Sequence, residues 1–168
     1  MMRLKNRKNG GYSLIELIAV IAIMGVMVGA GFVGFGILNN ANVKETTAKI
    51  ETAINKTKTS SMSRSSASME LYEKDSAYYV DLSYTGKSGE VKETAKIGSS
   101  KVTITYKDSD GSTVTIGGAN KLAIRFNRDT GGFQPIQDDV YCKSITVTSG
   151  ARTKTIVCEK LTGKIRIQ

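Results

Sequence analysis

Hydrophobic and polar positions divide the chain into an apolar N-terminal run, a helical middle and an alternating C-terminal part. From Leu14 to Leu38 the residues are apolar or small, apart from one charge, Glu16. No proline interrupts this run, and about 20 apolar residues suffice for a helix that spans a bilayer. The pattern therefore predicts a transmembrane helix over residues 12–38.

Beyond the apolar run, one narrow face repeats at spacings of three and four residues, which is typical of an amphipathic helix. Its members are Val43, Thr47, Ile50, Ile54, Thr57 and Ser61. We expect an amphipathic helix over residues 39–70 that continues the apolar one. A single helix from about Ser13 to about Met62 would be ~75 Å long. A coiled-coil dimer is the alternative, but too few large apolar residues fill the face.

The C-terminal part, residues 71–168, is rich in β-branched residues that alternate with polar ones, as in antiparallel strands. The predicted strands cover residues 77–84, 101–106, 112–116, 121–126, 141–148, 152–159 and 164–167. The serine-rich residues 60–70 indicate a frayed helix end. The predicted fold class is α+β, with a long N-terminal helix packed on an antiparallel β-sheet head.

Composition excludes several kinds of chemistry. The chain of 168 residues has no His, so a Ser-His or Cys-His nucleophile cannot form within it. Two cysteines cannot build a four-cysteine zinc site. The run Asp108–Ser112 is similar to the start of a calcium loop, but it lacks the closing Glu, which favours a hairpin turn. We therefore predict no catalytic residue, no metal site and no cofactor.

The net charge is +9, and four basic residues precede Tyr12 with no acid among them. By the positive-inside rule, this flank keeps residues 1–11 in the cytoplasm and places the head outside. A cleavable secretory signal has a similar basic start, but its apolar core is only about 7–15 residues long. The remaining basic residues are scattered, so a nucleic-acid partner has little support.

The string GGYSLIE at residues 10–16, followed by AVIAIMGVMVGAG, resembles the prepilin N-terminal motif of type IV pilins and pseudopilins. The resemblance implies that a prepilin peptidase cleaves the leader, residues 1–11, between Gly11 and Tyr12. The peptidase would then methylate the new amino terminus of Tyr12. It also implies that the subunit joins other pilin-like subunits through its N-terminal helix. An inner-membrane assembly platform and membrane lipid are the further implied partners.

Glu16 gains a role from this arrangement. After cleavage, the amino group of Tyr12 is a cation, and Glu16 is an anion without a compensating charge one helical turn away. Each needs a partner in an apolar setting. We expect Glu16 to meet the Tyr12 ammonium of a neighbouring subunit, which would select one axial offset in a growing filament. The alternative is a Glu that only reaches toward the interface at the end of an anchor helix.

The head also resembles the H-type minor pseudopilins of type II secretion systems, in the segment AIRFNRDTGGF and the closing TGKIRI. A major pilin or a competence pseudopilin remains open. The predicted function is a structural subunit of an extracytoplasmic pilus-like or secretion-like filament. The alternative is a competence-type pseudopilin whose head binds DNA or an exported substrate. Before assembly the chain would be a single-pass membrane protein.

Cys142 and Cys158 lie at equal distances from Gly150. If residues 141–148 and 152–159 form a hairpin around the three-residue loop 149–151, the cysteines lie directly opposite each other. Opposed residues have the Cα separation that a disulfide needs. We therefore predict a Cys142–Cys158 disulfide, with Gly150 at positive φ. A two-residue turn would instead point the two thiols to opposite faces. The alternative is two reduced, buried cysteines.

Overall fold

The computed structural model describes residues 12–63, 66–86 and 89–168. One helix, α1, spans Leu14–Ser63. Nine strands follow in the described part of the chain: β1 Ala67–Lys74, β2 Ala77–Gly86, β3 Gly89–Ser99, β4 Thr103–Asp108, β5 Thr113–Thr115, β6 Leu122–Arg125, β7 Cys142–Ser149, β8 Arg152–Glu159 and β9 Lys164–Ile167. The chain forms two compact units, Met1–Phe35 and Gly36–Gln168, and α1 contributes to both. The predicted α+β class is confirmed.

In the first unit, α1 exposes its large apolar side chains. Among the residues from Leu14 to Val28, the exposed fraction ranges from 46% at Ile18 to 78% at Leu14. In the described part of the chain, no helix meets the length and hydropathy expected of a membrane span. The structure thus confirms the predicted helix here but not the predicted span.

In the second unit, α1 packs through the face that the spacing predicts. Val43, Ile50 and Ile54 are at most 1% exposed, and they share one hydrophobic cluster with residues from both sheets. One sheet has the strand order β3-β2-β1-β6, and the other has β5-β4-β7-β8-β9. All their pairings are antiparallel. The predicted antiparallel head is therefore present as two sheets around one core.

Strand β1 occupies residues that the sequence analysis assigned to the end of the amphipathic helix. The helix ends at Ser63, close to the expected Met62, but residues 67–70 of the segment 39–70 are strand. Burial alternates along β1, with Ala67, Met69 and Leu71 facing the core. Asp75 and Ser76 close the β1–β2 hairpin, both with positive φ, as a type I′ turn requires.

Strand β3 was also not predicted. It is an edge strand, and most of its side chains are exposed, with Ile97 as its one fully buried position. Its sequence is dominated by Glu, Lys, Thr and Ala, which carry no apolar alternation. Charged side chains on an edge strand oppose edge-to-edge pairing with other chains.

The segments 123–133 and 162–167 lie against each other. Phe133 donates a backbone hydrogen bond to Lys160 at 2.8 Å. A Cβ atom on Gly163 would lie 1.9 Å from the backbone oxygen of Gly131, so no larger residue fits at position 163. The backbones of the turn after β6 and of the β8–β9 connection are therefore in direct contact.

Candidate functional site

The start of α1 is fixed by a reciprocal pair of hydrogen bonds between Ser13 and Glu16. The Ser13 backbone N–H donates to Glu16 Oε2 at 2.8 Å, and the Ser13 hydroxyl donates to the same oxygen at 3.1 Å. In return, the Glu16 backbone N–H donates to Ser13 Oγ at 3.3 Å. This is a capping box, in which a Ser and a Glu three residues later satisfy the free N–H groups at a helix start.

This geometry gives Glu16 neutral hydrogen-bond partners within its own chain but no compensating charge. Its carboxylate already accepts two hydrogen bonds, and an acid in the first turn is also favoured by the helix dipole. The signal was present in the sequence, because Ser-x-x-Glu before an apolar run is the signature of a capping box. The structure leaves the proposed contact of Glu16 with a neighbouring subunit untested.

The predicted cleavage position lies at the border of the described residues. Gly11 falls outside them, whereas Tyr12 is described and is 90% exposed. Tyr12 directly precedes the capping Ser13, and α1 begins at Leu14. Every hydrogen bond of the capping box therefore lies on the C-terminal side of the Gly11–Tyr12 bond, so removal of residues 1–11 would leave the cap intact.

The hairpin that carries the two cysteines has a different register from the predicted one. Ser149 pairs with Arg152, so the connection is the two residues Gly150 and Ala151 and not the three residues 149–151. Gly150 has the predicted positive φ, at 55°. With this register alone, Cys158 would oppose Lys143 rather than Cys142.

A β-bulge in β7 places the Cys142 side chain on the same face of the sheet as Cys158. Strand β4 pairs Lys107 with Ser144 and the next residue, Asp108, with Cys142, so Lys143 is an extra residue. Because of this insertion, Cys142 turns toward the core while Lys143 is exposed. The expectation that a two-residue turn separates the thiols is therefore wrong, because the bulge reverses the alternation of faces.

The two thiols are free, buried and adjacent. Cys142 and Cys158 are 2% and 5% exposed. The pKa of the Cys142 thiol is raised well above its usual value. The main cause is a hydrogen bond with Cys158, and burial is the second. The structure thus brings together the pair that the sequence singled out, while the disulfide stays a prediction.

The outer face of the β3-β2-β1-β6 sheet holds a buried carboxylate that sequence reasoning missed. Asp81 accepts hydrogen bonds from Thr94 at 2.6 Å and Tyr72 at 3.2 Å, and its other oxygen lies 2.9 Å from Lys92 Nζ. Burial acts to raise the pKa of Asp81, but these three partners together lower it below its usual value. Asp81 follows Val80 and precedes Leu82 in a strand, a position where alternation predicts an outward, solvated side chain.

The Asp108–Ser112 segment forms a hairpin turn, as the sequence favoured. The Asp108 N–H donates to the Ser112 carbonyl at 2.9 Å, and the Ser112 N–H donates to Asp110 Oδ1 at 2.8 Å. Across the described residues, no group of three His, Cys, Asp or Glu side chains is arranged to hold a metal ion.

The N-terminal sequence matches a known family. The family described as the prokaryotic N-terminal methylation motif matches residues 6–32, which include Gly11, Tyr12 and Glu16. The chain carries a type IV pilin-like N-terminal motif. No curated protein and no solved structure matches the chain. The H-type assignment of this pilin-like chain is not confirmed.

Proposed function

We propose that this pilin-like chain is a structural subunit, a pilin or minor pseudopilin, of an extracytoplasmic filament of the type IV pilus or type II secretion kind. The observation that carries the proposal is the match of the methylation motif to residues 6–32. In support, a capping box starts α1 directly after the proposed cleavage position. The apolar side chains between Leu14 and Val28 are also exposed and available for burial against lipid or other subunits.

In this proposal, the precursor is anchored in the inner membrane through the segment 12–38, with its leader in the cytoplasm and its head outside. A prepilin peptidase removes residues 1–11 and methylates Tyr12. The assembly platform then passes the subunit into a filament, where Glu16 meets the Tyr12 ammonium of a neighbour. The chain acts as a building block rather than as an enzyme.

A DNA-binding head has less support. On the outer face of the β3-β2-β1-β6 sheet, Lys92 pairs with Asp81 and Lys121 pairs with Glu70 at 3.1 Å. Lysines that are already paired with carboxylates contribute less to the counterion release on which DNA affinity depends.

The test is co-expression of the full chain with a prepilin peptidase, followed by intact-mass and N-terminal analysis. We expect a mature chain that begins at methylated Tyr12. The control is the same chain without the peptidase, which should keep its leader. Gly11→Val should block cleavage, because the resemblance implies that a branched side chain obstructs the peptidase site. A product that retains Arg3–Gly11 in the presence of active peptidase would overturn the proposal.

A further inference from the structure

An apolar cleft runs between helix α1 and the edge strand β3. Its volume is about 450 Å³, within the range of small-ligand sites. The apolar walls come from Ala48, Thr52 and Ala53 on the helix and from Val80, Leu82 and Ala95 on the sheet. Ala48, Ala53 and Ala95 each contribute only a methyl group to this lining.

A polar cleft of about 340 Å³ adjoins the apolar one. Asn42, Thr46 and Ser99 contribute to its lining. Glu45, Lys49 and Lys96 line both clefts and therefore mark their junction. The combined site is amphipathic along its length, apolar at one end and polar at the other.

Among the described residues, two of the three lysines that line the clefts are in ion pairs. Lys49 is paired with Glu45 at 2.7 Å. Lys56 is paired with Glu93, which also accepts a hydrogen bond from the Tyr84 hydroxyl at 2.7 Å. Among the ion pairs of the described residues, none includes Lys96. The junction of the two clefts thus carries a net positive charge.

We propose that this site binds an amphiphile with one long acyl chain and an anionic head, such as a long-chain fatty acid. The acyl chain lies in the apolar cleft, and its carboxylate lies in the polar cleft against Lys96. The stretch of α1 from Ala48 to Lys56 is ~12 Å long. This is close to one acyl layer of a bilayer, which is half of the ~30 Å hydrocarbon thickness.

A slender ligand fits this site better than a helix does. The Lys56–Glu93 pair joins the two walls of the cleft, one from α1 and one from β3. A helix with side chains is about 10–12 Å across and would have to break that pair. The inference does not depend on the filament role, although a membrane-anchored precursor would meet such amphiphiles.

The test uses the full chain in phosphatidylcholine vesicles with a palmitate analogue that carries a photoreactive diazirine. After irradiation, mass spectrometry maps the labelled peptides. We expect labelling within residues 45–56 and 91–97 that excess ordinary palmitate competes away. Labelling confined to residues 14–38, or cleft labelling that palmitate does not compete, would overturn the proposal.

Two substitutions test where the acyl chain and the carboxylate of the ligand lie. Ala48→Trp fills the apolar cleft and should abolish the competed labelling, whereas Ala41→Trp, exposed on the same helix outside both clefts, should not. Lys96→Gln should lower labelling by up to about fivefold, the range of an exposed ion pair. Lys44→Gln is its control. Unchanged labelling of Ala48→Trp would overturn the site.

A neutral probe and a fold check complete the design. A monoacylglycerol with the same photoreactive tail should label the cleft less than the fatty acid does, and equal labelling would overturn the anionic head. Circular dichroism of each variant shows whether it folds. If Ala48→Trp does not fold, the results with Lys96→Gln and with the neutral probe decide whether the cleft binds an anionic amphiphile. Leader cleavage can be scored in separate samples, so this proposal and the filament proposal can fail independently.

Discussion

At the scale of single residues, Glu16 illustrates how one carboxylate can serve two purposes. Within the chain it caps α1 through Ser13. In the proposed filament it also meets a neighbour's ammonium. The two roles are compatible, because a carboxylate has about four acceptor sites and the cap uses one oxygen. The cap also fixes the position of the carboxylate before any neighbour arrives.

Substitutions at position 16 can separate the two roles. Gln serves in a capping box as Glu does, but it has no charge. If the charge is what filaments require, Glu16→Gln and Glu16→Ala should both be cleaved by the peptidase and both fail to assemble. Filament yield by electron microscopy or by shearing and immunoblotting measures this. Normal filaments from Glu16→Gln but not from Glu16→Ala would show that only the cap matters.

At the scale of elements, the sequence predicted those strands and helix faces in which apolar residues repeat clearly. The buried face of α1 through Val43, Ile50 and Ile54 follows from spacing alone. Strand β3 was not predicted, because an edge strand with mostly exposed side chains shows little apolar alternation. Strand β1 does alternate, at Ala67, Met69 and Leu71, but its position after a serine-rich stretch suggested a helix end.

The β7–β8 hairpin gives the element-scale prediction. Adjacent thiols in an extracytoplasmic head should form a disulfide between Cys142 and Cys158. We expect it to stabilise the head by about 3 kcal/mol, the value for a loop near 15 residues.

Thiol titration of the unfolded chain without reductant checks this prediction. The exported wild-type chain should show no reactive thiol, and two reactive thiols per chain would contradict the bridge. Deletion of Lys143 tests the register. It removes the bulge and places Cys142 directly before Ser144, opposite Cys158, so that the bridge should still form and no reactive thiol should appear.

At the scale of the whole molecule, the head combines two sheets and the second half of α1 around one core. The sequence predicted the α+β class and the antiparallel pairing, because those depend on repeating patterns. It could not predict the division into two sheets, which depends on which strands share an edge. Nor could it predict the cleft beside β3 or the burial of Asp81, since both arise from packing between distant segments.

Global stability should decline in acid because of Asp81. Its pKa is lowered in the folded state from its usual value near 3.8. The stabilisation is therefore present above the unfolded pKa and is lost as pH falls through the folded pKa. Asp108 acts in the opposite direction, because burial raises its pKa. The contribution of Asp81 is thus best isolated by comparing variants.

Asp81→Asn should be less stable than wild type by about 1–2 kcal/mol at neutral pH, because it weakens hydrogen bonds to a buried group. The difference should shrink as pH falls below about 4, because the unfolded chain then takes up a proton at Asp81 more readily than the folded chain does. Urea unfolding of residues 36–168 at a series of pH values measures it. Asp129→Asn, at an exposed turn position, is the matched control and should follow wild type. A difference that is constant with pH would rule out this account.

The β7 bulge has a consequence for how related sequences can change length. The thiols face each other because of the ladder from Ser149–Arg152 to Ser144–Val157, and the bulge at Lys143 lies beyond the last of these pairs. A residue gained in the turn lengthens the loop and leaves this ladder unchanged, and loss of Lys143 places Cys142 directly opposite Cys158. Relatives that keep both cysteines should therefore vary in length at the turn and at position 143, but not by single residues within the paired segments 144–149 and 152–157.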